Sequence, residues 1–236
     1  MKKIKLNRVK TIVESWKLGD YLRQTSIVVI GILITFTGSD LISRCSDKRD
    51  TQATMLLIRD ELKANREKCV NLLSEFDKDE HLSALLVKHD MNYREIPLDS
   101  LKQYLYVVGR ILNFEYSRNA LNILSNSMQM QNISDKEFLL SLNEVYEILE
   151  RFKVSVNGYY GMKEKVTVPF HLSMPDKQTK LLYEGGYDAW EVYLSDISVR
   201  NFLRIAQQYF SPGHKEGVTQ KIDKAILSLE EKYGIE

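Results

Sequence analysis

TQATMLLIRDELKANREKCVNLLSEF, residues 51–76, carries the pattern that decides the fold class. Met55, Ile58, Leu62, Asn65, Cys69, Leu72 and Phe76 step by alternating three and four residues. That spacing stacks side chains along one side of an α-helix. Asn65 is the polar member of the seam, where a coiled coil places a register-setting residue. Leu56, Leu57, Val70 and Leu73 widen the stripe beyond a strict seam, so a core-facing bundle helix is preferred over a self-paired coil.

Downstream, Asp77, Asp79 and Glu80 form an acidic run without the spacing and Gly of an EF-hand loop, which reads as a solvated helix end or turn. A second helical stretch spans about 82–88, before the loop that carries Pro97. Leu98, Leu101, Leu105, Val108 and Leu112 mark a third, and Ser117 starts a short helix through Leu124. Ser134-Asp135-Lys136-Glu137 reads as a capping box, with the Ser134 hydroxyl accepting from the Glu137 amide while Glu137 reaches back. The helix it opens carries Leu142, Val145, Leu149 and Phe152 on one side. Regularity fails between Asn157 and Asp188, where Gly158, Gly161, Pro169, Pro175, Gly185 and Gly186 fall and 166–168 reads as a short extended piece. Helices over about 198–209 and 217–232 follow, parted by Ser211-Pro212-Gly213.

Upstream, residues 24–43 read QTSIVVIGILITFTGSDLIS, with Asp40 the lone charge. About 20 helical residues span roughly 30 Å, the thickness of a bilayer's hydrocarbon core. The strongly apolar part, Ser26 to Phe36, is shorter, and Thr35, Thr37, Gly38, Ser39 and Asp40 make the far end polar. A buried core helix and a cleaved signal peptide, with Thr37 and Ser39 before the cut, are alternatives. A retained signal anchor is preferred, because the run follows a long basic tail directly. Lys2, Lys3, Lys5, Arg8, Lys10, Lys17 and Arg23 are opposed there by only Glu14 and Asp20. Val9, Ile12, Val13 and Trp16 give that tail helical periodicity, as in a helix lying on an anionic leaflet, or else it is a solvated tail that only sets topology. The Lys/Arg bias puts the N-terminus in the cytoplasm and the C-terminal domain outside it, in a single-pass inner-membrane protein, although Arg44, Lys48 and Arg49 reduce the contrast.

The expectation is an all-α fold: an N-terminal transmembrane helix followed by an α-helical bundle with one irregular segment. Its parts are a basic amphipathic tail (1–23), an anchor (24–43) and a helical extramembrane domain (44–236).

Tyr21-Leu22-Arg23, VVIGILI from Val28 to Ile34 and the long charged helix after them give a layout that resembles an uncharacterised family of bacterial single-span membrane proteins. NALNILSNSMQMQNISDKEFLLSLNEVYEIL, from Asn119 to Leu149, is similar to that family's second recurring segment, a short helix leading through a polar turn into another. The likeness covers roughly the first two-thirds of the chain and departs after Ile34, where TFTGSD replaces the usual apolar continuation. It implies an architecture and no activity.

Chemistry is sparse. A net charge of +1 over 236 residues gives no basic field for nucleic acid. Two cysteines, Cys45 and Cys69, make no disulfide framework or CxxC pair. His81, His89, His171 and His214 show no metal-ligand spacing, and no phosphate loop or nucleophile elbow occurs, so no cofactor or metal is expected and the chain is read as no enzyme. Gly31, Thr35, Gly38 and Ile42 line one side of the anchor at small-residue spacing, a candidate oligomer contact, with Cys45 just beyond, where parallel copies would meet. In YEGGYDAWEVY (Tyr183–Tyr193), Tyr187, Trp190 and Tyr193 either floor a ligand or partner pocket or pack an irregular segment onto the bundle. The functional expectation is a membrane-anchored interaction or sensing module whose partners are the lipid bilayer, further copies of itself and a protein not named by the sequence. A homo-oligomeric pore or membrane effector, and an enzyme with dispersed carboxylates, are the alternatives.

Overall fold

The computed structural model describes the backbone of residues 2–127, 129–209 and 212–234, and their side chains except at 2–25, 31–45, 129, 132 and 212–216. The elements are α1 (Lys2–Lys88), a 3-10 turn (Tyr93–Glu95), α2 (Leu98–Lys102), α3 (Leu105–Gly109), α4 (Asn119–Asn126), α5 (Gln129–Asn132), α6 (Lys136–Leu172), α7 (Asp176–Glu184), α8 (Gly186–Ser195), α9 (Ile197–Ile205), a second 3-10 turn (Ala206–Gln208) and α10 (Pro212–Tyr233). Among the described residues there is no strand, and the fold is all-α.

The chain divides into two compact units, Met1–Ala53 and Thr54–Glu236. Of the expected anchor, 24–43, only the side chains of 26–30 are described; Gly31, Thr35, Gly38, Ile42 and Cys45 lie outside the described side chains. Among the described residues no helix is long and apolar enough to cross a membrane.

In the second unit, Met55, Ile58, Leu62, Asn65, Cys69, Leu72 and Phe76 are all buried, as their spacing requires. The stripe then continues through Asp79 and Leu82 to Leu86. The acidic run is therefore the middle of a helix and not its end, and the stretch at 82–88 belongs to the same element. One carboxylate is tolerated on the buried side because a lysine of α6 meets it there.

Two apolar clusters make the core. The first joins the α1 stripe up to Phe76 to Leu121 and Leu124 of α4, the α6 stripe from Phe138 to Tyr160, and Val218, Ile222, Ile226 and Leu229 of α10. Ion pairs trim its rim: Lys63–Glu230 at 2.7 Å, Lys221–Glu144 at 3.1 Å, and Arg66 with Asp223. The second cluster gathers Leu82 and Leu86 with Ile96, Leu101, Val107, Val108, Trp190, Leu194, Val199 and Leu203.

The irregular segment is not where glycine and proline placed it. Residues 157–172 continue α6, and 166–168 are helical. Gly158 and Gly161 each cost about 1 kcal/mol in a helix, which burial of the Val156, Tyr159 and Tyr160 side chains around them outweighs. Pro169 stands in the last turn of α6, and Pro175 caps α7. Gly185 and Gly186, with φ of +76° and +77°, turn α7 into α8 in a conformation that other residues enter at a cost.

The irregular stretch is 110–118 instead, between α3 and α4, where the expected third helix ends at Gly109. The start of α6 also shifts by one residue. Asp135, not Ser134, is the N-cap, its carboxylate accepting from the Phe138 amide at 2.9 Å. A carboxylate there also meets Lys232 of α10, which a serine hydroxyl cannot match in charge.

Candidate functional site

Asp79 follows Phe76 by three positions and precedes Leu82 by three, so the turn of α1 that buries those two carries it inward. Lys163 holds the matching place on α6, three after Tyr160 and four before Thr167. Their side chains are 1% and 0% exposed. The Lys163 ammonium donates to Asp79 Oδ1 and, at 2.6 Å, to the Val107 carbonyl of α3.

Arg110, the first residue past α3, closes the cluster. Its Nη2 donates to Asp79 Oδ2 at 3.1 Å and to the Glu75 carbonyl at 2.6 Å, and the guanidinium pairs with the Glu75 carboxylate. Glu75 also takes Lys78 at 2.7 Å. The Tyr160 hydroxyl reaches Asp79 Oδ2 at 3.5 Å, and its ring lies 5.5 Å from the Lys163 ammonium. On the outer side, Arg110 and Lys78 flank the Tyr106 ring at 5.4 and 5.8 Å.

Burial dominates the electrostatics. It pushes the Asp79 carboxyl up, with Lys163 only partly opposing, and pulls the Lys163 ammonium down against the pull of Asp79. Burial and then the charge of Asp79 raise the Tyr159 and Tyr160 phenols, so both stay neutral. Arg110 is lowered by burial.

A second polar device holds the 110–118 stretch. Asn65 of α1 accepts from the Ser117 amide at 2.8 Å and donates to the Ser117 carbonyl at 2.7 Å. Asn157 of α6 treats Phe114 the same way, at 2.9 and 3.2 Å. Each side-chain amide replaces the backbone neighbour that a strand would have. Glu61 anchors the end of the stretch, accepting from the Tyr146 hydroxyl at 2.7 Å, the Ser117 hydroxyl at 2.5 Å and the Ala120 amide at 3.0 Å at the start of α4. Asn65 is thus an intrachain clamp and not a coiled-coil register residue.

No protein-family model, curated protein or solved structure matches the chain.

The aromatic candidates pack in or against the second cluster. Trp190 and Tyr193 are 1% and 6% exposed, with rings 6.2 Å apart, and half-buried Tyr187 donates to the Ile96 carbonyl at 2.8 Å. His171 bonds the Thr167 carbonyl through Nδ1 at 2.7 Å and Tyr193 Oη through Nε2 at 3.3 Å. A carbonyl can only accept, so Nδ1 carries a proton there. Among the described residues no three of His, Cys, Asp and Glu converge on a metal position.

Sequence reasoning missed Lys163, Arg110 and Asn157, and read Asp79 as part of a solvated helix end and Asn65 as the polar member of a seam. One signal was present: Lys163 continues the three-and-four spacing of Phe152, Val156 and Tyr159, so a charge stands on a stripe that is otherwise apolar or aromatic. Replacing such a pair by apolar side chains commonly costs nothing in stability. What the cluster does supply is register, tying one turn of α1 to one turn of α6 and to the end of α3.

Proposed function

We propose that the chain is a membrane-tethered helical interaction module: residues 24–43 anchor it as a single span, and the domain from Thr54 onward works through contacts with a protein partner. The supporting observation is at Ile27, Val28, Val29 and Ile30, which are 62, 59, 47 and 54% exposed. Four consecutive helical positions point to all sides of the helix, and a helix apolar all round belongs in a core or in lipid. Here the four side chains are exposed rather than packed in a core. The basic tail before them supports an orientation with the N-terminus in the cytoplasm and the domain outside. The resemblance of the layout to single-span bacterial proteins points the same way. Small residues at 31, 35 and 38 support self-association within the membrane.

The test is membrane extraction of the full chain and of an Ile30→Lys/Leu33→Lys variant. Each lysine near the middle of a span costs about 2.5–3.5 kcal/mol of insertion. The unaltered chain stays in the pellet through an alkaline carbonate wash, and the variant moves to the supernatant. Recovery of the unaltered chain in the supernatant sinks the proposal.

A further inference from the structure

The charge cluster lies between the two apolar clusters. Along α1 the stripe passes from Phe76, in the first, through Asp79 to Leu82, in the second. Along α6 it passes from Tyr160 through Lys163 to Val166, which borders both. Arg110 marks the same level between Val108, in the second, and Phe114, in the first.

The sides are unequal. Among the described residues the first cluster holds 26 buried apolar side chains and the second holds 12. The first is built on α6 and α10, of 37 and 22 residues, whereas α2, α3 and α8 of the second have only 5 to 10; α9 borders both, with Phe202 in the first and Val199 and Leu203 in the second.

We propose that the Asp79–Lys163–Arg110 layer is a fault plane at which the domain opens in halves, the half around Trp190 separating while the first cluster stays packed. Opening inside an apolar core only forfeits packing. Opening at this layer also returns water to a lysine and an aspartate whose side chains are 0% and 1% exposed, and their regained hydration offsets the packing given up. Cooperative units of different stability within one domain are the ordinary result of such a division. The device gives the domain two states, whether or not the chain is tethered to a membrane.

The experiment uses the full chain, solubilised in detergent, carrying Trp16→Phe so that Trp190 is its one tryptophan. In urea, the Trp190 fluorescence change comes before the loss of helical signal. Native-state hydrogen exchange shows amides of α8 opening at least tenfold more often than buried amides of α6 and α10. Lys163→Met leaves the Asp79 carboxylate short of a partner and raises the opening constant of the Trp190 half by roughly a hundredfold or more. Asp79→Leu/Lys163→Met removes the two fully buried charges from the layer and merges the two transitions; Val107 O keeps its Arg110 amide at 3.3 Å, and Arg110 keeps Glu75 at the rim. If Lys163→Met does not fold, the double variant still decides. Coincident transitions with uniform exchange in the Trp16→Phe chain overturn the proposal, and so do transitions that remain separate in the double variant.

Discussion

Replacing Asn65 by leucine sets the two readings of that residue against each other. As the polar member of a coiled-coil seam, Asn65 would be a stability cost retained for register, and leucine would raise stability. In the structure the residue is fully buried and satisfies both backbone groups of Ser117, at 2.7 and 2.8 Å. Losing those bonds leaves the N–H and C=O of half-buried Ser117 without these partners, at up to about 1–3 kcal/mol each. Leucine recovers roughly 1–3 kcal/mol through its own burial, so the central net loss is about 2 kcal/mol; Asn65→Ala, without that recovery, loses up to about 2–6 kcal/mol. Urea unfolding followed by helical signal, at matched denaturant slopes, reads both variants. Hydrogen exchange at the Ser117 amide reads the clamp itself and accelerates in each. An Asn65→Leu chain as stable as the parent, with Ser117 still protected, would refute the clamp.

Two further outcomes follow from the buried groups. Asp79 has a carboxyl raised above its ordinary value, so its contribution to stability is complete below the unfolded value near 3.8 and fades as pH rises through the folded one. Lys163, lowered from 10.5, contributes fully above that value and loses the contribution as pH falls through its folded one. Between the two folded values the pair binds one proton whether folded or unfolded. Stability of the parent relative to Asp79→Asn therefore rises as pH is lowered from 7 toward 4 in urea titrations, and a fall would contradict the raised carboxyl. Burial pushes the Cys69 thiol up to about 12, so in a Cys45→Ser chain a thiol reagent at pH 8 leaves Cys69 unmodified until denaturant is added; rapid native-state labelling would place Cys69 outside the core.

The helix over 51–76 and the first half of α6, with the side of each that is buried, are legible in the sequence alone. The spacing from Met55 to Phe76 is a property of one helix, and 3.6 residues per turn convert it directly into a buried stripe. The same rule reaches Leu142, Val145, Leu149 and Phe152 of α6. It failed where long-range partners outweigh local chemistry. Glycine and proline marked 157–188 as irregular, yet α6 continues through Gly158 and Gly161 because buried tyrosines of that turn are held by the rest of the core. The stretch 110–118 has neither glycine nor proline and is the irregular one, because Asn65 and Asn157, from 43 to 52 positions away, complete its backbone hydrogen bonds. The charge cluster belongs to the same class. Asp79 and Lys163 are 84 positions apart, and each read alone is a surface charge; only the packing of α1 against α6 makes them a buried pair. Local periodicity is written in neighbouring residues, whereas desolvation and pairing depend on what the folded chain brings alongside, and that is set by tertiary packing.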